Sequence, residues 1–270
     1  MPEGDTIHRL ARRLGPDFVG GTLAEVWLRE VPGGELLEEG TITAVEAVGK
    51  HLLIEVDCPD GVPRILRTHL GMHGGWRRAA VGATRDPHQV RVALRFSGRD
   101  VESRCLRAAQ VEVFRASDRG RHPTLSRLGP DLIGDPDLDA VVERARRHPS
   151  LPLGELLLRQ DVAAGIGNVY KSELLFRARL HPDRPARSVD DPALRSVYAD
   201  ASDLLRRNVE LRFRTTTFGP EGARARVRGI RLFVYERGGR PCLRCGAVLR
   251  VGKQGDQARV TFWCPGCQPR

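Results

Sequence analysis

An α+β protein is predicted, with an N-terminal antiparallel β domain, sandwich or barrel, a C-terminal helical domain and a four-cysteine ribbon at the end. Three observations predict it. Short runs of alternating polar and apolar residues fill the first half, helical periodicity replaces them in the second, and two CxxC pairs close the chain.

At the start, Ile7, Leu10, Ala11 and Leu14 recur at helical spacing, with Asp5 or Thr6 as the expected cap and Gly15-Pro16 as the expected stop. From about Thr22 to Arg115 the pattern is TITAVEAV, HLLIEVD and QVRVALRF between Gly, Pro and Asp clusters, which reads as an antiparallel sandwich or barrel. This gives a first domain over 1–116. Residues 117–150 are rich in Arg, Asp, Gly and Pro, with one helical pattern near Leu138 to Arg147, and read as a connection. In a helical domain over 151–231, Leu153, Leu156 and Leu157 begin one helix. A second follows the turn AAGIGN from about Val169 to Arg179, and a third spans Pro192 to Asn208. Residues 232–270 hold too few apolar side chains for a core of their own and need a staple.

Lys and Arg total 44 against 34 acids in 270 residues, a formal charge of +10. That balance favours a polyanionic partner, nucleic acid first, although a solvated basic surface accounts for the same charge. The opening MPEGDTIHRL has acids where a signal peptide needs basic and apolar residues, and no apolar run approaches membrane-spanning length. A cytoplasmic protein with no membrane partner is expected. Cys58 and Cys105 read as inert thiols.

Cys242, Cys245, Cys264 and Cys267 form two CxxC knuckles 18 residues apart, the spacing of a zinc ribbon. A redox pair or two disulfides are the alternatives. Four thiolates leave no open coordination position, so one Zn2+ here folds the hairpin and does not catalyse. Between the knuckles, Arg250, Lys253 and Arg259 would stand on a rigid hairpin, suited to phosphate contact or simply solvated. Gly165-Ile166-Gly167-Asn168 permits a sharp turn that leaves backbone N–H groups at a helix start, where phosphate binds; Asn168 would cap the helix or donate to the anion. An ordinary helix corner fits the same four residues.

Pro2 and Glu3 have a structural explanation as a helix start. They also have a chemical one. Cleavage of Met1 before the small Pro2 leaves a secondary amine that titrates near neutrality and is partly nucleophilic, with Glu3 in reach for proton transfer. Only Lys50, Lys171 and Lys253 among the 44 basic residues are lysines. Lys50 lies at a Gly-Lys turn, where a compact ammonium binds phosphate, relays a proton or is merely solvated.

The segments MPEGDTIHRLARRL, VGKHLLI, HLGMHGGW, HPTLSRLGPDL, QDVAAGIGNVYKSELLF and CLRC to RVTFWCPGC, in this order, resemble the formamidopyrimidine-DNA glycosylase and endonuclease VIII family over nearly the whole chain. The resemblance implies a β-sandwich, a helix-two-turn-helix domain and a zinc finger, with damaged double-stranded DNA in the cleft between domains and a monomeric enzyme. It implies base flipping and attack at the sugar C1′ by Pro2, giving an iminium that drives strand cleavage. By the same resemblance Glu3 is the catalytic carboxylate, Lys50 the lysine of phosphate binding and β-elimination, and Arg259 the arginine of phosphate clamping and δ-elimination. Asn168 is then the phosphate-binding asparagine and Arg127 a DNA-contacting arginine of the endonuclease VIII branch. The start PEGDT, and LRAAQVEVF where the other branch carries a DPRRFG-like wedge, favour endonuclease VIII and oxidised pyrimidines. Met72 resembles the methionine that fills the void left by the flipped base, or else is a core methionine. Gly71 stands where some endonuclease VIII proteins have a DNA-contacting glutamine.

Overall fold

The computed structural model describes residues 2–220 and 229–270. The anticipated loss of Met1 concerns a residue outside the described ones, as does the stretch 221–228 of the expected helical domain. The chain divides into two compact units, 1–127 and 128–270.

The first unit opens with helix α1 (Gly4–Phe18), whose Ile7, Leu10, Ala11, Leu14 and Phe18 are buried. Its cap is Glu3, not Asp5 or Thr6. The Glu3 side chain accepts from the Thr6 backbone while the Thr6 hydroxyl accepts from the Glu3 N–H, a capping box with the acid and hydroxyl exchanged from the usual order. Nor does Gly15-Pro16 stop the helix. Phe18 packs on Trp76 and Phe96, and that burial carries the last turn past Pro16.

Eight strands follow: β1 (Leu23–Leu28), β2 (Thr41–Val48), β3 (His51–Asp57), β4 (Arg64–His69), β5 (Gly75–Ala80), β6 (Val90–Phe96), β7 (Val101–Leu106) and β8 (Gln110–Arg115). They make two antiparallel four-stranded sheets, ordered β1-β6-β7-β5 and β2-β3-β4-β8, so the fold is a sandwich and not a barrel. Leu52, Ile54, Val56, Leu66, Val92 and Leu94 fill its interior together with the apolar face of α1. Cys58 and Cys105 are buried there, and burial pushes the Cys105 thiol up to about 12, as inert thiols require.

The second unit holds α2 (Leu138–Arg146), the short α3 (Leu153–Leu156), α4 (Asn168–Arg177) and α5 (Asp191–Val209), then the hairpin β9 (Arg250–Gln254) and β10 (Arg259–Trp263). The stretch 117–150 is therefore not a separate connection. Residues up to 127 cluster with the sandwich, while Leu132, Ile133, Val141, Val142 and Ala145 are buried in the helical core. No helix among the described residues is long and apolar enough to cross a membrane.

Candidate active site

In the first unit, tertiary packing gathers one end of the sandwich around the chain start. The end of α1 is tied to the start of β2, since the Gly20 N–H donates to the Ile42 carbonyl (2.8 Å) and the Ile42 N–H to the Gly21 carbonyl (3.0 Å). Because α1 lies along β2 and β3, its other end, with Pro2 and Glu3, points to the β2–β3 turn. That turn is Gly49-Lys50. Val48 pairs with His51, and Gly49 has φ 56°, which places a left-handed residue first in the two-residue loop. Pro2 is half-buried just outside the helix, whereas the Glu3 side chain is fully buried.

The turn after β4 joins the same end. A cavity of about 290 Å³ is lined by Thr6, Arg9 and Leu10 of α1 with Leu70, Gly74 and Trp76. Met72 is 54% exposed in this turn, so it is not a core methionine. Gly71 has φ 64°, and a Cβ there would meet the Ala109 Cβ at 2.9 Å, so glutamine at this position would strain the turn. Arg127 is exposed at the end of a 3-10 turn, Leu125–Arg127.

Sequence reasoning missed a polar cluster beside Lys50. His51, Arg67, His69, Gln110 and Glu112 share one face of the β3-β4-β8 ladders, because His51 pairs with His69, His69 with Gln110, and Arg67 with Glu112. The i, i+2 spacing of Arg67 and His69 in LRTHL was the available signal. Burial, reinforced by Arg67, His69, His122 and Lys50, lowers His51 to about 3; burial, then Lys50 and Arg67, lowers His69 to about 4. Both folded values lie below the ordinary 6.5, so the unfolded chain binds more protons as pH falls. Stability is full above about pH 6.5 and is lost between there and pH 3–4. We expect the thermal midpoint to drop steadily from pH 7 to 4.5, and His51→Gln to flatten that slope; an unchanged slope in the variant would contradict this.

In the second unit, Gly165 (φ 116°) makes the turn, and Gln160 staples it by accepting from the Gly165 N–H (3.2 Å) and donating to the Ile166 carbonyl (3.0 Å). Asn168 is not the cap. Gly167 takes that position and Asn168 is the first helical residue, buried, with its Oδ1 lacking a hydrogen-bond partner. A half-turn of the amide puts its N–H2 in the same place, a donor at the helix start. Arg259 begins β10, exposed, its guanidinium held on Gln257 Oε1 (3.0 and 2.7 Å). Lys171 is fully buried and donates to the Val260 carbonyl (3.0 Å) and Thr261 Oγ1 (2.7 Å), and the Phe262 N–H donates to Ser172 (3.4 Å). These contacts run in the same sense along α4 and β10, which brings Asn168 and Arg259 to one end of the unit.

Glu173, likewise missed, is a fully buried carboxylate that accepts from the N–H groups of Phe233, Val234 and Tyr235 (2.8 Å each) and from the Thr216 hydroxyl. It ties α4 to the chain entering the ribbon. In Glu173→Gln one acceptor oxygen becomes a donor facing N–H groups, so we expect a loss of about 2–4 kcal/mol and a lower melting temperature. A melting curve within a degree of the parent would exclude the clasp.

The four thiols of Cys242, Cys245, Cys264 and Cys267 all lie within 4.8 Å of one another. The 242–267 and 245–264 sulfur separations are 3.9 and 3.4 Å. A tetrahedral site with metal–sulfur bonds of about 2.3 Å has edges of about 3.8 Å, so this donor set can hold a metal ion. Each knuckle is closed by its own backbone: the Gly246 N–H donates to the Cys242 carbonyl and the Gln268 N–H to the Cys264 carbonyl.

Residues 1–111 match the model of the formamidopyrimidine-DNA glycosylase N-terminal domain, and residues 128–219 that of the formamidopyrimidine-DNA glycosylase H2TH domain. The chain is 37% identical to a probable endonuclease 8 2 of Streptomyces coelicolor, over 99% of this chain and 94% of that protein. It is 35% identical to the DNA-(apurinic or apyrimidinic site) lyase Nei2 of Mycolicibacterium smegmatis, over 99% of each. The MutM (Fpg) protein of Thermus thermophilus superposes with a TM-score of 0.78 at 33% identity, over 99% of this chain and 98% of that one. A Lactococcus lactis formamidopyrimidine-DNA glycosylase bound to DNA containing an AP site gives 0.81 at 22% identity, over 99% and 100%. Fold and matches together define a DNA repair glycosylase with lyase relatives. The chain belongs to the formamidopyrimidine-DNA glycosylase and endonuclease VIII family.

Proposed function

We propose that this protein is a bifunctional DNA glycosylase and AP lyase that removes oxidised bases, pyrimidines in preference, and cleaves the strand by β,δ-elimination. The observation that carries the chemistry is the chain start: once Met1 is gone, Pro2 offers an accessible secondary amine beside the buried Glu3 and toward the Lys50 turn. The amine forms a bond to C1′ as the C1′–base bond breaks, and the base leaves with a proton. Glu3 assists opening of the sugar ring by moving a proton to O4′. The resulting iminium carries a fixed positive charge, so loss of a C2′ proton expels the 3′ phosphate, and loss of a C4′ proton then expels the 5′ phosphate. Hydrolysis of the remaining iminium frees Pro2. Lys50 and Arg127 in the first unit, and Asn168 and Arg259 in the second, hold backbone phosphates. Met72, exposed on its turn, enters the gap in the stack. The relatives support this reading: one is named an apurinic or apyrimidinic site lyase, and one fold neighbour holds AP-site DNA.

Pyrimidine preference is supported by the connection between β7 and β8. It is only Arg107-Ala108-Ala109, with Arg107 at φ 50° and drawn to Gln89 (3.1 Å), which leaves no bulky wedge there. Duplexes carrying thymine glycol, 5-hydroxyuracil or 8-oxoguanine test it. Faster release of the two pyrimidines is expected, and preferential excision of 8-oxoguanine would refute the preference while leaving the Pro2 chemistry standing.

One Zn2+ is the proposed occupant of the four thiolates, a borderline-soft ion for a soft tetrahedral set. Its contribution when bound is structural, fixing the hairpin that carries Arg259.

A further inference from the structure

Arg67 is the largest fully buried side chain among the described residues, on β4 in the middle of its sheet. A guanidinium cannot shed its charge, so burying it is expensive, and an apolar residue of similar size would often serve stability as well. Its contacts show what it connects. One terminal nitrogen lies 2.6 Å from His51 Nδ1, and because Arg only donates, His51 must accept there as the neutral ring protonated at Nε2. The other donates to Gln110 Oε1 (3.1 Å) and to the Glu112 carboxylate. His122 then donates from Nε2 to the second Glu112 oxygen (2.8 Å). The His122 tautomer is fixed as well, since Nδ1 accepts from the Thr124 and Leu125 N–H groups (3.2 and 3.3 Å). Ser126 closes the same turn by donating to the His122 carbonyl (2.8 Å), and Arg127 follows. At one end of this chain of bonds His51 is covalently next to Lys50; at the other, the His122 turn presents Arg127.

We propose that Arg67 is a positioning residue: its planar fork fixes His51, and with it the Lys50 turn, while through Glu112 and His122 it fixes the 122–127 segment, so that Lys50 and Arg127 meet the DNA backbone in a set spacing. The inference rests on the reading of Lys50 and Arg127 as backbone contacts. Lysine cannot replace Arg67 fully, because one ammonium cannot make the planar fork that spans His51 and Glu112.

The test is single-turnover strand cleavage of a duplex with a preformed abasic site, using the intact zinc-loaded protein, its Arg67→Met and Lys50→Ala variants and the double variant. Arg67→Met should slow cleavage at saturating duplex roughly tenfold or more, as expected when the phosphate that Lys50 holds beside the reacting sugar is misplaced, and should also raise the half-saturating duplex concentration several-fold through Arg127. In the Lys50→Ala background the same substitution should cause no further slowing at saturation. Arg67→Lys should recover part of the rate. An equal slowing by Arg67→Met in both backgrounds would make the arginine merely structural, and wild-type rates in a folded Arg67→Met would overturn the proposal. If Arg67→Met does not fold, Arg67→Lys goes through the same square with the same two overturning outcomes. A parent protein that forms no borohydride adduct would instead defeat the glycosylase/lyase reading itself.

Discussion

Pro2→Gly protein is expected to fold, bind damaged duplex and yet form the borohydride-trapped adduct at least about a hundredfold more slowly, since a flexible primary amine replaces the ring-held secondary amine and its imine can shed the positive charge that drives the chemistry. Folding is spared because Pro2 sits outside α1, and the cap belongs to Glu3 and Thr6. Intact mass is a second check on the same claim: active protein must lack Met1, for a residue ahead of Pro2 turns its amine into an amide with no nucleophilicity. Active protein that retains Met1, or a Pro2→Gly variant trapped at the parent rate, would sink the mechanism. The outcome also separates an enzyme from a zinc-ribbon DNA binder that uses the same basic surface without chemistry.

Removing the metal is the second large effect. A strong chelator, or Cys264→Ser, should unfold the β9–β10 hairpin, expose reactive thiols and abolish lesion processing, while the helical core of the second unit persists. The reason is the poverty of the ribbon's own packing. Its apolar cluster amounts to Phe176, Phe233, Val234, Leu249 and two of the cysteines, and Phe176 belongs to α4. The hairpin adds Phe262 on Tyr235, Trp263 on His181 and a few polar contacts, from Lys171 to Val260 and Thr261 and from Gln268 Nε2 to the Leu180 carbonyl. Structural zinc in isolated fingers contributes about 10–16 kcal/mol of binding free energy, far more than such contacts replace. Arg259 would then lose its fixed direction. Thiols fully reactive in untreated protein, or full activity after the metal is stripped, would contradict this.

Much of this was legible from residues alone, and the reason is locality. A CxxC pair places two sulfurs on one turn whatever surrounds it, helical spacing of apolar residues marks α4 and α5, and short alternating runs between turn residues mark β2, β3 and β6. The Pro-Glu start, the Gly49-Lys50 turn and the GIGN corner are short enough for their backbone geometry to follow from the residues in them. Boundaries fared less well. Burial of Phe18 carried α1 across Gly-Pro, an exchanged capping box hid the role of Glu3, and the Arg- and Pro-rich stretch after 127 proved to hold buried residues of the second core.

What only the tertiary structure decided is which distant polar residues meet. Alternation says that Arg67 and His69 share a face, but not that this face carries His51 and Glu112, because strand register sets that pairing across 16 and 45 residues of sequence. The same holds for Glu173, whose four donors lie 43 to 62 residues away. The sequence by itself pointed to the proposed reacting groups and to the four thiols that the fold gathers, since those need only the right atoms on short pieces of chain. The folded structure decided their supports, since a buried charge is tolerable only where partners from other elements surround it.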